Sequence, residues 1–191
     1  MRELALHILD ILENSLAAGA TRIALTIEED AAADHMTIRV TDNGCGMDEQ
    51  TLQRVLDPFF TTRTTRHVGL GLPLFAASAE RAGGRLTIES QAGRGTTVTA
   101  TFQLRHIDRP PLGDIGGSLL AFLMTDRPVD LAYMHRVDGH EFAFDTADLR
   151  RELGDVPLSH PAVRDWLRDF IAEGETELQA VGVEPLGGKP G

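Results

Sequence analysis

Hydrophobic periodicity changes once, early in the chain, and that change limits the folds open to it. Over residues 3–18, Leu4, Ile8, Ile11, Leu12, Ser15 and Leu16 recur at helical spacing, which predicts a largely buried helix stopping at Gly19. The next two apolar stretches alternate instead. Ile23-Leu25-Ile27 and Met36-Ile38-Val40 each read as a half-buried strand, joined by an acidic, alanine-rich turn over residues 28–34. A short helix over 48–56 follows, with Asp48 as its cap, then a Thr-, Arg- and Gly-rich loop over 57–71 and a helix over 72–82. Strands over 85–90 and 96–104 come next; in the second, Val98, Ala100, Phe102 and Leu104 face one way and Thr97, Thr99 and Thr101 the other. The order helix, two strands, helix, loop, helix, two strands excludes the strict alternation of a doubly wound parallel sheet. It predicts an α+β sandwich, a mixed sheet with helices on one face.

Arg109-Pro110-Pro111 marks an expected boundary between a first domain over 1–108 and a small α+β accessory module over 109–181, with a loose tail over 182–191. The module reads as a helix over 114–124, a hairpin of strands 129–137 and 141–144 around Asp138-Gly139, a helix from Asp145 or Thr146 to Leu153 ended by Gly154, and a helix from Pro161 to about Glu177. Trp166 and Phe170, one turn apart in that last helix, read as core.

Charge narrows the partners. The chain carries a formal −11 with 42% hydrophobic and 25% charged residues, the balance of an ordinary globular protein and a poor one for neutralising a phosphate backbone. No apolar run approaches the roughly 20 residues of a membrane helix. Neither nucleic acid nor membrane is expected as a partner. Residues 1–105 hold 10 basic and 13 acidic side chains, and residues 106–191 hold 8 and 16, so the first half tolerates an anionic ligand better. The single cysteine, Cys45, fits a reducing cytoplasm and reads as a small side chain filling a tight loop.

Three places carry candidate chemistry. Asp10 and Asn14, four residues apart, share a face of the first helix with His7 two turns before Asn14. An amide oxygen at Asn14 suits magnesium, which takes hard oxygen ligands, and a carboxylate one turn earlier suits work on a water near a phosphate. Asp42 ends a strand and precedes Gly44 and Gly46; a carboxylate there accepts from an adenine amine and repels the carbonyl of guanine. Gly69 and Gly71 run into a helix start, where backbone amides attract phosphate, with Arg63, Arg66 and His67 just upstream. Taken singly, these are also the wet edge of a helix, an Asp-Asn-Gly turn and an ordinary helix start. His7 reads as a packing residue.

Together and in order, the pieces resemble the superfamily of DNA gyrase, Hsp90-type chaperones, histidine kinases and MutL-type repair proteins. LENSLAAGATRI (12–23) resembles its asparagine box, DNGCGM (42–47) its first glycine box, DPFFTTR (57–63) the phenylalanine box of histidine kinases, and GLGL (69–72) with GRGTTV (93–98) the later glycine boxes. The resemblance spans residues 3 to about 104 and implies the Bergerat-type sandwich with bound ATP and Mg2+. It implies Asn14 as magnesium ligand, Asp42 as adenine anchor, Gly44 and Gly46 beside the base, and Thr96 near the adenine through water. Gly69 and Gly71 would line the phosphates beneath a lid over 60–68, and Arg63 would touch them. Two positions depart from the pattern. Asp10 stands where related ATPases have a catalytic glutamate, and His67-Val68 precedes Gly69 where histidine kinases have a further glycine.

Only 13 residues precede Asn14, too few for a helical hairpin bearing an acceptor histidine. The expectation is therefore a cytoplasmic regulatory protein of histidine-kinase type, with Asp10 catalytic, that phosphorylates a separate partner chosen by the acidic module. The alternative is a slow or non-catalytic nucleotide-gated switch that docks a partner. A homodimer is compatible with either.

Overall fold

The computed structural model describes residues 3–57, 71–124 and 127–181. Its first helix, α1 (Leu4–Ala17), has no side-chain cap at Glu3. The carbonyls of Pro111 and Leu112 instead accept from the Leu4 and Ala5 amides at 2.9 and 2.8 Å, supplying partners that a helix start otherwise lacks. At the other end Gly19 adopts a φ of 74°, the left-handed turn that stops the helix.

Strands β1 (Arg22–Asp30) and β2 (His35–Asp42) pair antiparallel, with Ile23 opposite Asp42 and Ile27 opposite Ile38. The strand runs further than its apolar residues indicate, leaving a turn over 31–34 that Asp34 closes at a φ of 51°. Asp48 caps α2 (Glu49–Arg54) by accepting from the Thr51 amide at 2.7 Å. Helix α3 (Gly71–Arg81) leads to β3 (Arg85–Gln91) and β4 (Gly95–Gln103). Beyond the proline pair lie α4 (Ile115–Leu123), β5 (Asp130–Val137), β6 (His140–Asp145), α5 (Thr146–Leu153) and α6 (Pro161–Val181), the last four residues longer than expected.

All six strands form one sheet in the order β3-β4-β2-β1-β5-β6. Every neighbouring pair is antiparallel except β1–β5, so the sheet is mixed because of a strand from beyond residue 109. The fold is α+β. Its helix-covered face buries Ile23, Leu25 and Ile27 of β1, Met36, Ile38 and Val40 of β2, Val98, Ala100 and Phe102 of β4, and Leu131 and Tyr133 of β5. These meet Leu4, Ile8 and Leu12 of α1, Phe75 of α3, and Leu119 and Phe122 of α4 in one cluster. The alternation in β4 holds, with threonines on the opposite face, where Thr41 and Thr97 hydroxyls meet at 3.1 Å.

Sheet and core thus cross the proline pair. The β5–β6 turn has positive φ at both Asp138 (48°) and Gly139 (89°), the signature of a two-residue hairpin turn. Arg22, at the start of β1, grips Asp145 at the end of β6 with both Nη nitrogens of its guanidinium. Trp166 corrects the expectation of a core residue: it is 50% exposed and stacks on half-buried Phe170, ring centres 5.1 Å apart. Leu167 and Ile171 take the core-facing positions of α6.

Helix α6 is set on the sheet by two devices. Gly174 has no side chain where a Cβ would overlap the Phe142 ring, which allows close approach to β6. Beside it, buried Glu175 accepts from the Tyr133 hydroxyl at 2.7 Å and pairs with His135 Nδ1 at 2.8 Å, while His135 Nε2 lies 3.2 Å from Glu29 of β1. Burial alone pulls the His135 pKa down, but the two carboxylates overcome it and raise it to about 9. His7 is the opposite case. Buried against Phe75, ring centres 4.9 Å apart and both nitrogens without a hydrogen-bond partner, it is pulled by burial down to about 4.

Linkage gives these histidines opposite pH dependences. His135 contributes stability that is complete below the unfolded value of 6.5 and is lost as pH rises through about 9; His7 contributes stability present above 6.5 that is lost as pH falls toward about 4. Urea denaturation across pH is expected to show maximal stability near 6.5, each limb falling by up to about 3 kcal/mol. His135→Gln flattens the alkaline limb and His7→Phe the acid one.

Candidate functional site

The end of β2 and the loop after it form the floor of the site. Asp42, 9% exposed, points its carboxylate toward α1: Oδ2 accepts from the Ser15 hydroxyl at 2.8 Å and Oδ1 from the Gly44 amide at 2.8 Å. The loop follows a path that side chains would block. A Cβ on Gly44 would press within 2.9 Å of Ala18, and one on Gly46, at a φ of 64°, would overlap the Gln91 carbonyl. Backbone bonds stitch the loop on both sides, from the Cys45 amide to the Ala18 carbonyl at 2.9 Å and from the Gly93 amide to the Cys45 carbonyl at 2.7 Å. Cys45 is exposed, with its thiol 3.5 Å from the Gly46 carbonyl, so it does not fill the loop as the sequence suggested.

Asn43 anchors the loop to β1. Its side-chain oxygen accepts from the Thr21 and Arg22 amides, both at 2.9 Å, and its nitrogen donates to the Thr21 hydroxyl at 2.9 Å. Across the floor Thr96 stands opposite Asp42 in the β2–β4 ladder, its hydroxyl 2.9 Å from that of Ser90. Ser90 in turn accepts from the Met47 amide at 2.8 Å. The β3–β4 turn closes against the same point, because a Cβ on Gly95, at a φ of 98°, would overlap the Asp42 carbonyl.

Along α1, one residue before Ser15, Asn14 Nδ2 donates to Asp10 Oδ2 at 3.4 Å. Asp10 lies against the first residue of α3, so that a Cβ at Gly71 would overlap its carboxylate. Asn14, Asp10 and Gly71 therefore meet where α1 crosses the start of α3, while Ser15 directs its hydroxyl at Asp42 from the same turn of helix. His7, one turn further back, stacks within the α1–α3 contact. Arg63 and Gly69, and the lid over 60–68, lie outside the described residues.

Among the described residues no group of three or more His, Cys, Asp and Glu side chains is gathered to hold a metal. A divalent ion at Asn14 would thus draw its other ligands from water and from the ligand it accompanies, the pattern magnesium favours. Two polar side chains, Ser15 and Ser90, were not singled out by sequence reasoning. The signal for Ser15 was a serine on the buried stripe of α1; nothing local marks Ser90, which acts through strand pairing.

Residues 2–106 match the family model described as histidine kinase-, DNA gyrase B-, and HSP90-like ATPase. Among curated proteins, sensor protein kinase FleS of Pseudomonas aeruginosa is 41% identical over 108 residues, 56% of this chain and 26% of that protein. Sporulation kinase C of Bacillus subtilis is 32% identical over 97 residues, 51% of this chain and 22% of that protein. The chain thus spans about a quarter of the length of these relatives. A solved structure of the N-terminal domain of a DNA repair protein has the same fold, with a TM-score of 0.53 and 14% identity over 75% of this chain and 52% of the other. That coverage exceeds the family match, so the likeness in fold reaches past residue 106. Among the described residues no helix is long and apolar enough to cross a membrane.

Two substitutions test how the floor is built. Ser15→Ala removes a buried donor from Asp42 and is expected to cost about 1–3 kcal/mol in chemical denaturation. Gly95→Ala combines a positive φ with a backbone clash and is expected to cost about 2–4 kcal/mol. A neutral effect of either would mean that Asp42 is not held this way.

Proposed function

Because this chain belongs to the histidine kinase-, DNA gyrase B-, and HSP90-like ATPase family, we propose that it is a Mg-ATP-binding regulatory protein of histidine-kinase type that transfers phosphate to a separate partner protein. One observation carries the reading: a carboxylate at a strand end, aimed by Ser15 and the Gly44 amide, beside a loop whose glycines pack tightly on Ala18 and Gln91. Asp42 accepts from the adenine amine, Gly44 and Gly46 lie along the base, and Thr96 reaches it through water. The Asn14 amide oxygen ligates magnesium, and Gly71, with Gly69 and Arg63, serves the phosphates. Magnesium, when bound, neutralises and orients phosphate oxygens. Asp10 is the group placed to orient or accept the proton of the attacking nucleophile.

We assign the stretch over 109–181 to partner choice; its acidic surplus suits a basic protein face and disfavours nucleic acid and membrane. The cytoplasm is the compartment that fits. One observation favours the runner-up, a nucleotide-gated switch with slow or no turnover: Asp10 is one methylene shorter than the family's glutamate and is engaged by Asn14 and packed on Gly71.

Titration calorimetry with Mg-ATP tests the pocket: Asp42→Asn should weaken binding about 10- to 100-fold, the worth of a charged hydrogen bond. Equal affinity for the variant would sink the adenine assignment. Labelled ATP with candidate partners then separates the readings, transfer of label marking the kinase and ATP-dependent docking without transfer the switch. Asp10→Asn should abolish transfer while leaving nucleotide binding intact.

A further inference from the structure

A cleft of about 250 Å³ opens away from the Asp42 floor, between the end of α4, the segment entering β5 and the turn joining α5 to α6. Arg127 and Arg150 line it together with apolar Leu123, Pro128, Pro157 and Leu158 and with Ser159, and none of its described lining residues is acidic. This is unexpected in the half of the chain that carries twice as many acids as bases.

Neither guanidinium is fully used. Arg150 donates through Nε to Asp130 at 3.1 Å and through one Nη to the Val129 carbonyl at 3.4 Å. Among the described residues the partner of the Arg127 guanidinium is Glu13, at 3.7 Å, longer than a hydrogen bond. Each arginine has five N–H donors, so several point elsewhere. The Arg127–Glu13 pair is 55% and 38% exposed, the kind that contributes about 0–1 kcal/mol, and an incoming anion displaces Glu13 at little cost.

We propose that this cleft binds a small organic acid. The carboxylate sits against Arg127 and Arg150 with Ser159 donating, and a short hydrocarbon body covers Leu123, Pro128 and Leu158. The volume lies below the roughly 300–1,000 Å³ of sites for drug-sized ligands, which selects a compact occupant. Inorganic phosphate would satisfy the guanidiniums but leave the apolar wall uncovered. The long-range repulsion from the acidic chain is screened beyond about 8 Å at physiological salt. Glu13 adjoins Asn14, so an acid that takes Arg127 from Glu13 alters the charge beside the α1 face that carries Asn14. The site itself goes beyond the ATP reading and does not depend on it.

The test is an NMR titration of the full chain with butyrate, inorganic phosphate and chloride at matched ionic strength, following the Leu123 and Leu158 methyls and the Arg127 Nε–H. Butyrate should give saturable shifts at all three, with half-saturation on the order of millimolar. Arg127→Gln should raise that midpoint about tenfold, a loss of about 1.4 kcal/mol, while Arg105→Gln, at an exposed arginine elsewhere, leaves it unchanged. Shifts that grow linearly, a midpoint indifferent to Arg127→Gln, or phosphate matching butyrate without moving the methyls would each overturn the proposal.

Discussion

A carboxylate withdrawn from water must be met by donors, and the way Asp42 is met organises the molecule. One donor comes from α1, through Ser15, and the other from the loop's own backbone, at Gly44. The turn between β3 and β4 packs on the same residue's carbonyl, at Gly95. Helix, strand, loop and turn thereby meet at a single residue, the helix and loop at its carboxylate and the turn at its backbone carbonyl. A polar group that is costly to bury unless hydrogen-bonded serves here as the reference point for both fold and site.

Much of this was legible before any coordinates. Helical spacing located α1 within a residue at each end, and alternation located β1, β2 and β4, because one buried face imposes its period on the sequence. Asp48, Asp138-Gly139 and Gly154 marked their boundaries through local chemistry that does not depend on what packs nearby. Long-range pairing was not legible. Nothing in residues 130–137 states that they lie parallel to β1, and nothing in Pro111 and Leu112 states that their carbonyls accept from the start of α1. Trp166 was misread for a related reason: helical spacing locates an apolar stripe, but Leu167 and Ile171 fill the core and leave the tryptophan at its margin. The candidate residues Asp10, Asn14, Asp42 and Thr96 were named from spacing and resemblance, whereas the serines that aim or join them emerge only once α1 and β3 are packed against their neighbours.

The segment after residue 109 gives the sheet two more strands and the core several of its large side chains. Tyr133 and His135 reach Glu175 beneath α6, so the terminal helix is joined to the sheet by polar bonds as well as by apolar contact. Such buried ionic groups add little net stability compared with apolar ones, and their best-attested role is to fix one arrangement among several. Here they complement Gly174 and Phe142 in choosing a single seat for α6.

Asn43 has a mechanical consequence. Its side chain clasps the entry to β1 at Thr21 and Arg22, Arg22 clasps Asp145 where the hairpin ends, and the Asp130 amide donates to the Thr21 carbonyl at 2.9 Å where the hairpin begins. The glycine loop and the far hairpin thus hang from one hinge pin. Displacing the outer edge of the sheet therefore strains the same bonds at Thr21 and Arg22 that seat the loop around Asp42.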